Sequence, residues 1–137
     1  MAGMAITYLG DLRTECTHNA SGAVILTDAP TDNHGKGEAF SPTDLCATAL
    51  ASCAVTIMGM YAQNHACDIS GATVTVKKTM SAAPPRRITT VELVFTMPDK
   101  DYTDRQKRAL EKAAHTCPVH HSLHPEIEKK LVFHWAR

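Results

Sequence analysis

A chain of 137 residues with 14 basic and 14 acidic side chains, 44% hydrophobic and 20% charged, has the size and balance of one globular domain over 1–137. The even charge, with no basic block and no aromatic-basic interleaving, argues against nucleic acid as a partner, and no cationic amphipathic helix points to a membrane surface. Residues Met1 to Thr7 lack the basic start and apolar run of a signal peptide, so the expected location is the cytoplasm.

Ala5 to Leu9 and Arg13 to His18 read as strands around a Gly10-Asp11 turn, followed by Ala23 to Thr27 after a second turn at 19–22. These three form an antiparallel meander. The polar stretch from Asp28 to Gly37 reads as a loop that delivers the chain to a helix and could wall a site.

The stretch from Phe40 to Gln63 organises the rest. Ser41 can accept from the free amides of a first turn, Pro42 fits the first helical position, and Asp44 completes an S-x-x-D variant of the capping box. After Asp44 there is no charged side chain before His65, and Leu45, Ala49, Leu50, Ala54, Ile57, Met58 and Tyr61 point in almost every direction around a helical period. A helix wrapped by protein on all sides is expected. A membrane span is the rival, but the segment is rich in Ala, Thr and Ser and contains Gly59 and Gln63.

Beyond it, Ala72 to Met80 and Ile88 to Met97 alternate apolar and polar residues and are joined by a hairpin loop at Ser81 to Pro85. Asp104 to His115 follows as an amphipathic helix with Ala109, Leu110, Ala113 and Ala114 on one side. Pro118 interrupts it, a short helix restarts through Val119 to Leu123, and Leu131 to Trp135 closes the chain as a strand.

Five cysteines, an odd number, are dispersed with no C-x-x-C pair, which does not read as a structural disulfide framework. Cys46 and Cys53 stand two helical turns apart, about 10 Å, beyond the roughly 7 Å limit for a disulfide. Any partner for Cys53 must come from elsewhere, and the commoner role of a Cys in an apolar helix is that of a small hydrophobe filling tight helix contacts. Cys117 lies directly before Pro118 at the start of a helical turn, where free amides favour a thiolate and His115, His120 or His121 could take its proton. On local physics it is the more activatable thiol, with helix capping as its plain alternative. Cys117, His120, His121 and His124 also have spacings used by zinc ligands. One short helix rarely closes such a site alone, and solvated histidines are the competing account, so no metal and no cofactor are assigned.

Two contexts together, Phe40-Ser-Pro-Thr-Asp-Leu45 leading to Ala51-Ser-Cys53 and the later Cys117-Pro-Val-His-His-Ser-Leu123, resemble the osmotically inducible protein C and organic hydroperoxide resistance family in its OsmC-like branch. The resemblance spans Ile6 to Trp135. It implies an α+β fold with antiparallel sheets packed around a long buried central helix, in a homodimer of two intertwined chains. It further implies a thiol-dependent peroxidase acting on organic hydroperoxides, less well on hydrogen peroxide, with a dithiol reductant as partner and no metal, haem or flavin.

Carried onto this chain, the resemblance makes Cys53 the attacking thiolate and Cys117 the resolving one, joined in a disulfide after oxidation. An apolar mid-helix setting disfavours a thiolate at Cys53, so an external cation is needed. Arg13 is the positional match to the family's activating arginine, with Arg87 second. The family orients that arginine with a Glu directly after the helix-start proline. Here Thr43 stands there, and the first carboxylate is Asp44, turned by about 100 degrees on the helix. Asp44 is the carried-over partner of the arginine, capping its own helix is its competing role, and Glu38 could substitute if its loop folds inward. A non-enzymatic binder of small apolar molecules beside Cys53, and a metal-binding stress protein using 117–124, are the alternative functions.

Overall fold

The computed structural model describes residues 3–137. In chain order it contains β1 (Met4–Gly10), β2 (Arg13–His18), β3 (Val24–Asp28), a single 3-10 turn (Thr31–Asn33), α1 (Pro42–Asn64), β4 (Thr73–Met80), β5 (Ile88–Thr96), α2 (Asp104–Ala114), α3 (Pro118–Ser122) and β6 (Glu128–His134). This is the expected α+β succession, with element ends moved by a few residues at most. The chain divides into two compact units, Met1–Cys46 and Ala47–Arg137, each built on a three-stranded sheet.

In the first unit β2 lies between β1 and β3, antiparallel to both. Asp11 and Leu12 adopt positive φ, 53° and 62°, to turn the chain from β1 into β2. The register sets Arg13 directly opposite Asp28. The loop after β3 returns along the sheet: Asp28 donates its N–H to the Phe40 carbonyl at 3.1 Å. Gly35 permits the return, since a Cβ there would fall 1.7 Å from the Ala29 carbonyl oxygen. The sheet leaves much apolar surface uncovered, with Met4, Ile6, Tyr8, Val24, Ile25 and Leu26 all exposed.

At the start of α1 the predicted capping box forms. Ser41 N–H donates to Asp44 Oδ2 and Asp44 N–H donates to Ser41 Oγ, both at 3.0 Å.

In the second unit α1 buries Ala47, Leu50, Ala51, Ala54, Met58 and Ala62, which recur every three or four residues and so share one face. Ala49, Ser52, Thr56, Met60 and Gln63 are exposed, so within one chain the helix is covered on one side and not all round. Its length and apolar character alone would also suit a membrane span. β5 is central and buries Val91, Leu93 and Phe95. β4 pairs with it antiparallel, as expected from a hairpin, whereas β6 runs parallel, setting Leu131 beside Leu93 and Phe133 beside Phe95. The parallel strand follows from α2 and α3, which form the crossover that such a pairing requires. Phe95 and Phe133 stack with ring centroids 4.5 Å apart, and Leu50, Met58 and Leu110 are fully buried as well.

Candidate active site

Cys117 is the N-cap of α3, with Pro118 behind it at the first helical position. Its Sγ accepts the peptide N–H of His120 at 3.3 Å, and the residue is fully buried. Burial pushes the thiol up from its usual range; the His120 N–H opposes this, and the neighbouring Cys53 adds to the rise. The fold therefore unites the two cysteines that the resemblance paired, 64 residues apart in the chain. Burial also works against the thiolate expected at Cys117. A helix start favours the anion, but here desolvation outweighs it. Cys53 is half-buried, and all five cysteines are free.

Three histidines, His115, His120 and His121, lie near one another. The His120 ring lies 6.1 Å from that of His115 and 5.7 Å from that of His121, centroid to centroid. Desolvation first, then the charges of Lys129, His115 and His121, hold the half-buried His120 imidazole below its usual range. Among the described residues no three His, Cys, Asp or Glu side chains are grouped to hold a metal ion.

In the first unit Arg13 donates from Nε to Asp28 Oδ1 at 2.7 Å and from Nη2 to Asp28 Oδ2 at 2.9 Å. The same Nη2 reaches Glu38 Oε1 at 2.9 Å, and the Glu38 N–H donates to Asp28 Oδ2 at 3.0 Å. Glu38's loop does fold inward. The Arg13 hydrogen bonds hold the Asp28 carboxyl well below the usual range, against the desolvation of this fully buried residue. The guanidinium is in turn held more firmly protonated, first by its hydrogen bond to Asp28.

Of the predicted site residues, Cys53 and Cys117 meet in the second unit, while Arg13 takes Asp28 and Glu38 as carboxylate partners in the first. Asp44 is engaged in its own helix cap, the competing role foreseen for it. The second arginine candidate, Arg87, pairs with Glu126 at 2.7 Å on the surface. Asp28 was missed. Its signal was a lone carboxylate ending an apolar strand, level with Arg13 in the meander.

Two cavities of about 220 and 240 Å³ run along α1, the first past Gly59, Gln63 and Cys67, the second between Ala51 and Val74. Neither is lined by Cys53 or Cys117.

Comparison with known proteins agrees with this architecture. The family described as OsmC-like protein matches residues 35–132. A crystal structure from Psychrobacter arcticus 273-4, provisionally named an osmotic stress induced and detoxification response protein, is 47% identical with a TM-score of 0.93, covering 98% of this chain and 96% of that one. Two others share the fold at lower identity. An organic hydroperoxide resistance protein OsmC from Legionella pneumophila is 18% identical, with a TM-score of 0.75 and coverage of 97% and 96%. An organic hydroperoxide resistance protein from Elizabethkingia anophelis is 20% identical, with a TM-score of 0.74 and coverage of 97% and 94%. No curated protein matches significantly. A family match across well over half of the chain, together with a near-complete structural relative at 47% identity, makes this chain a member of the OsmC-like family.

Proposed function

We propose that this protein reduces organic hydroperoxides with two cysteines. The observation that carries the reading is that Cys53 neighbours the buried Cys117 closely enough to act on its thiol, which gives an oxidised Cys53 a partner thiol at hand. The names of the Legionella and Elizabethkingia relatives lend support at the level of the family.

In the first step the Cys53 thiolate attacks the peroxide oxygen that bears hydrogen. An S–O bond forms, the O–O bond breaks, and the alkoxide leaves as the alcohol after taking a proton, leaving a sulfenic acid. In the second step the Cys117 sulfur attacks the Cys53 sulfur, an S–S bond forms, and the S–O bond breaks with loss of water. A dithiol reductant then reopens the disulfide by exchange.

Arg13 is assigned the cation that stabilises the Cys53 thiolate, by the family pattern. The working form is a homodimer in the cytoplasm. The dimer is supported by the exposed apolar side chains of β1 and β3, Met4, Ile6 and Tyr8 at 62% to 71% among them, a patch that a second copy would cover.

The test is stoichiometric oxidation with cumene or tert-butyl hydroperoxide followed by mass mapping of the cysteines. The expected product is a Cys53 to Cys117 disulfide within one chain, lost in Cys53→Ser. Thiols left free, or oxidation confined to Cys16 or Cys67, would overturn the reading and leave a non-enzymatic role.

A further inference from the structure

The two cavities along α1, of about 220 and 240 Å³, are both lined by Val55 and Ala72 and so adjoin as one trough between the helix and the edge strand β4. One end is walled by Ala51, Val55, Val74 and Val76. The other, past Gly59, is walled by Gln63, Asp68 and Ser70. From Ala51 to Gln63 the helix rises roughly 18 Å, so an apolar body leads into a polar end. We propose that this trough binds an uncharged aliphatic alcohol, its chain along Val55 and the β4 valines and its hydroxyl at Gln63.

Gly59 is the first support. Glycine is among the weakest helix formers, yet it stands inside a 23-residue helix, and a Cβ placed on it would meet no atom within 4 Å. Packing within the chain does not require it. Its effect is to keep the trough clear about one turn beyond Val55.

The polar end is tied in place. Tyr102 O–H donates to the Asp68 carbonyl at 2.6 Å, Lys100 Nζ to Asp68 Oδ2 at 2.8 Å and the Ser70 N–H to Asp68 Oδ1 at 2.8 Å. These bonds, that of Lys100 first, hold the Asp68 carboxyl well below its usual range. Both of its oxygens thus have donors already, which leaves no unpaired anion for an amine. No basic side chain lines either cavity, so nothing receives a fatty carboxylate. The Gln63 amide has no side-chain partner among the described residues, and it can both donate to a hydroxyl and accept from one.

Cys53 faces elsewhere. At 3.6 residues per turn it lies about 120° round α1 from Gly59 and about 160° from Val55. The trough is therefore separate from the sulfur chemistry, and the proposal does not depend on the two-cysteine reading.

The experiment follows backbone amides by NMR while the unaltered protein is titrated with 1-hexanol, 1-heptanol, 1-octanol and octanoate. Amides of 55–63 and 67–74 should shift and saturate, with affinity rising roughly fourfold for each added methylene. Octanoate should bind at least tenfold more weakly than 1-octanol. Gly59→Leu, whose side chain enters the empty space, should lose 1-octanol affinity by tenfold or more while cumene hydroperoxide oxidises Cys53 at the unaltered rate. Gly59→Ala, which favours the helix, should weaken binding by a smaller factor and guards against a folding failure of the larger variant. Shifts that do not saturate, octanoate binding as tightly as 1-octanol, or full affinity in folded Gly59→Leu would each overturn the proposal. So would a parallel loss of Cys53 oxidation in that variant, which would put the alcohol at the sulfur.

Discussion

Arg13 and Asp28 face each other across β2 and β3 and share two hydrogen bonds, Nε to Oδ1 at 2.7 Å and Nη2 to Oδ2 at 2.9 Å. A guanidinium met by both oxygens of a carboxylate is fixed in direction as well as in charge. Arg13 takes its carboxylate partners from the end of a strand and, in Glu38, from the loop that follows it.

If this pair orients Arg13 for the peroxide reaction, Asp28→Asn should slow oxidation of Cys53 by about tenfold, the lower end of what orienting partners contribute elsewhere. Arg13→Ala should slow it at least as much, and the double variant no further than Arg13→Ala alone. Single-turnover oxidation rates in the three proteins check this. Additive losses would mean that Asp28 acts on the fold and not through Arg13.

The two thiols should differ in reactivity. Burial pushes the Cys117 thiol up and seals it, whereas Cys53 is half-buried. Iodoacetamide at about pH 8 should therefore label Cys53 well before Cys117, because the thiolate is the nucleophile and needs access. Timed alkylation with peptide mapping reads the order, and earlier labelling of Cys117 would contradict the burial seen here.

His120 also ties stability to pH. Its imidazole is held below the ordinary value of 6.5, so the unfolded chain takes up a proton at a higher pH than the folded one does. Stability from this residue is present above that value and is lost as pH falls from 6.5 toward the lower folded value. Denaturant titrations of the unaltered protein and His120→Gln should show the native protein losing stability relative to the variant as pH drops from about 7.5 to 5.5. A constant difference would contradict the buried, neutral imidazole.

Much of this was legible in the chain. Ser41, Pro42 and Asp44 announced the start of α1 because capping is chemistry within one turn, and the alternation of Val91, Leu93 and Phe95 announced β5 because a strand has period two. How α1 is covered was less legible. An apolar surface in the sequence states that partners exist, not whether the same chain provides them, and here only the face through Leu50, Ala54 and Met58 is filled. The parallel setting of β6 escaped for a related reason, since the direction of a strand depends on how α2 and α3 return the chain.

By itself, then, the order of residues determined the helix and strand periods, the caps and the presence of two cysteines in recognisable contexts, all set by interactions within a few residues. Tertiary structure alone decided that Cys117 is the sealed thiol, that Arg13 answers to Asp28, and that His120 stands beside the sulfur. Burial and long-range charge depend on which distant segments fold together, and they outweighed the local pull of a helix start on Cys117.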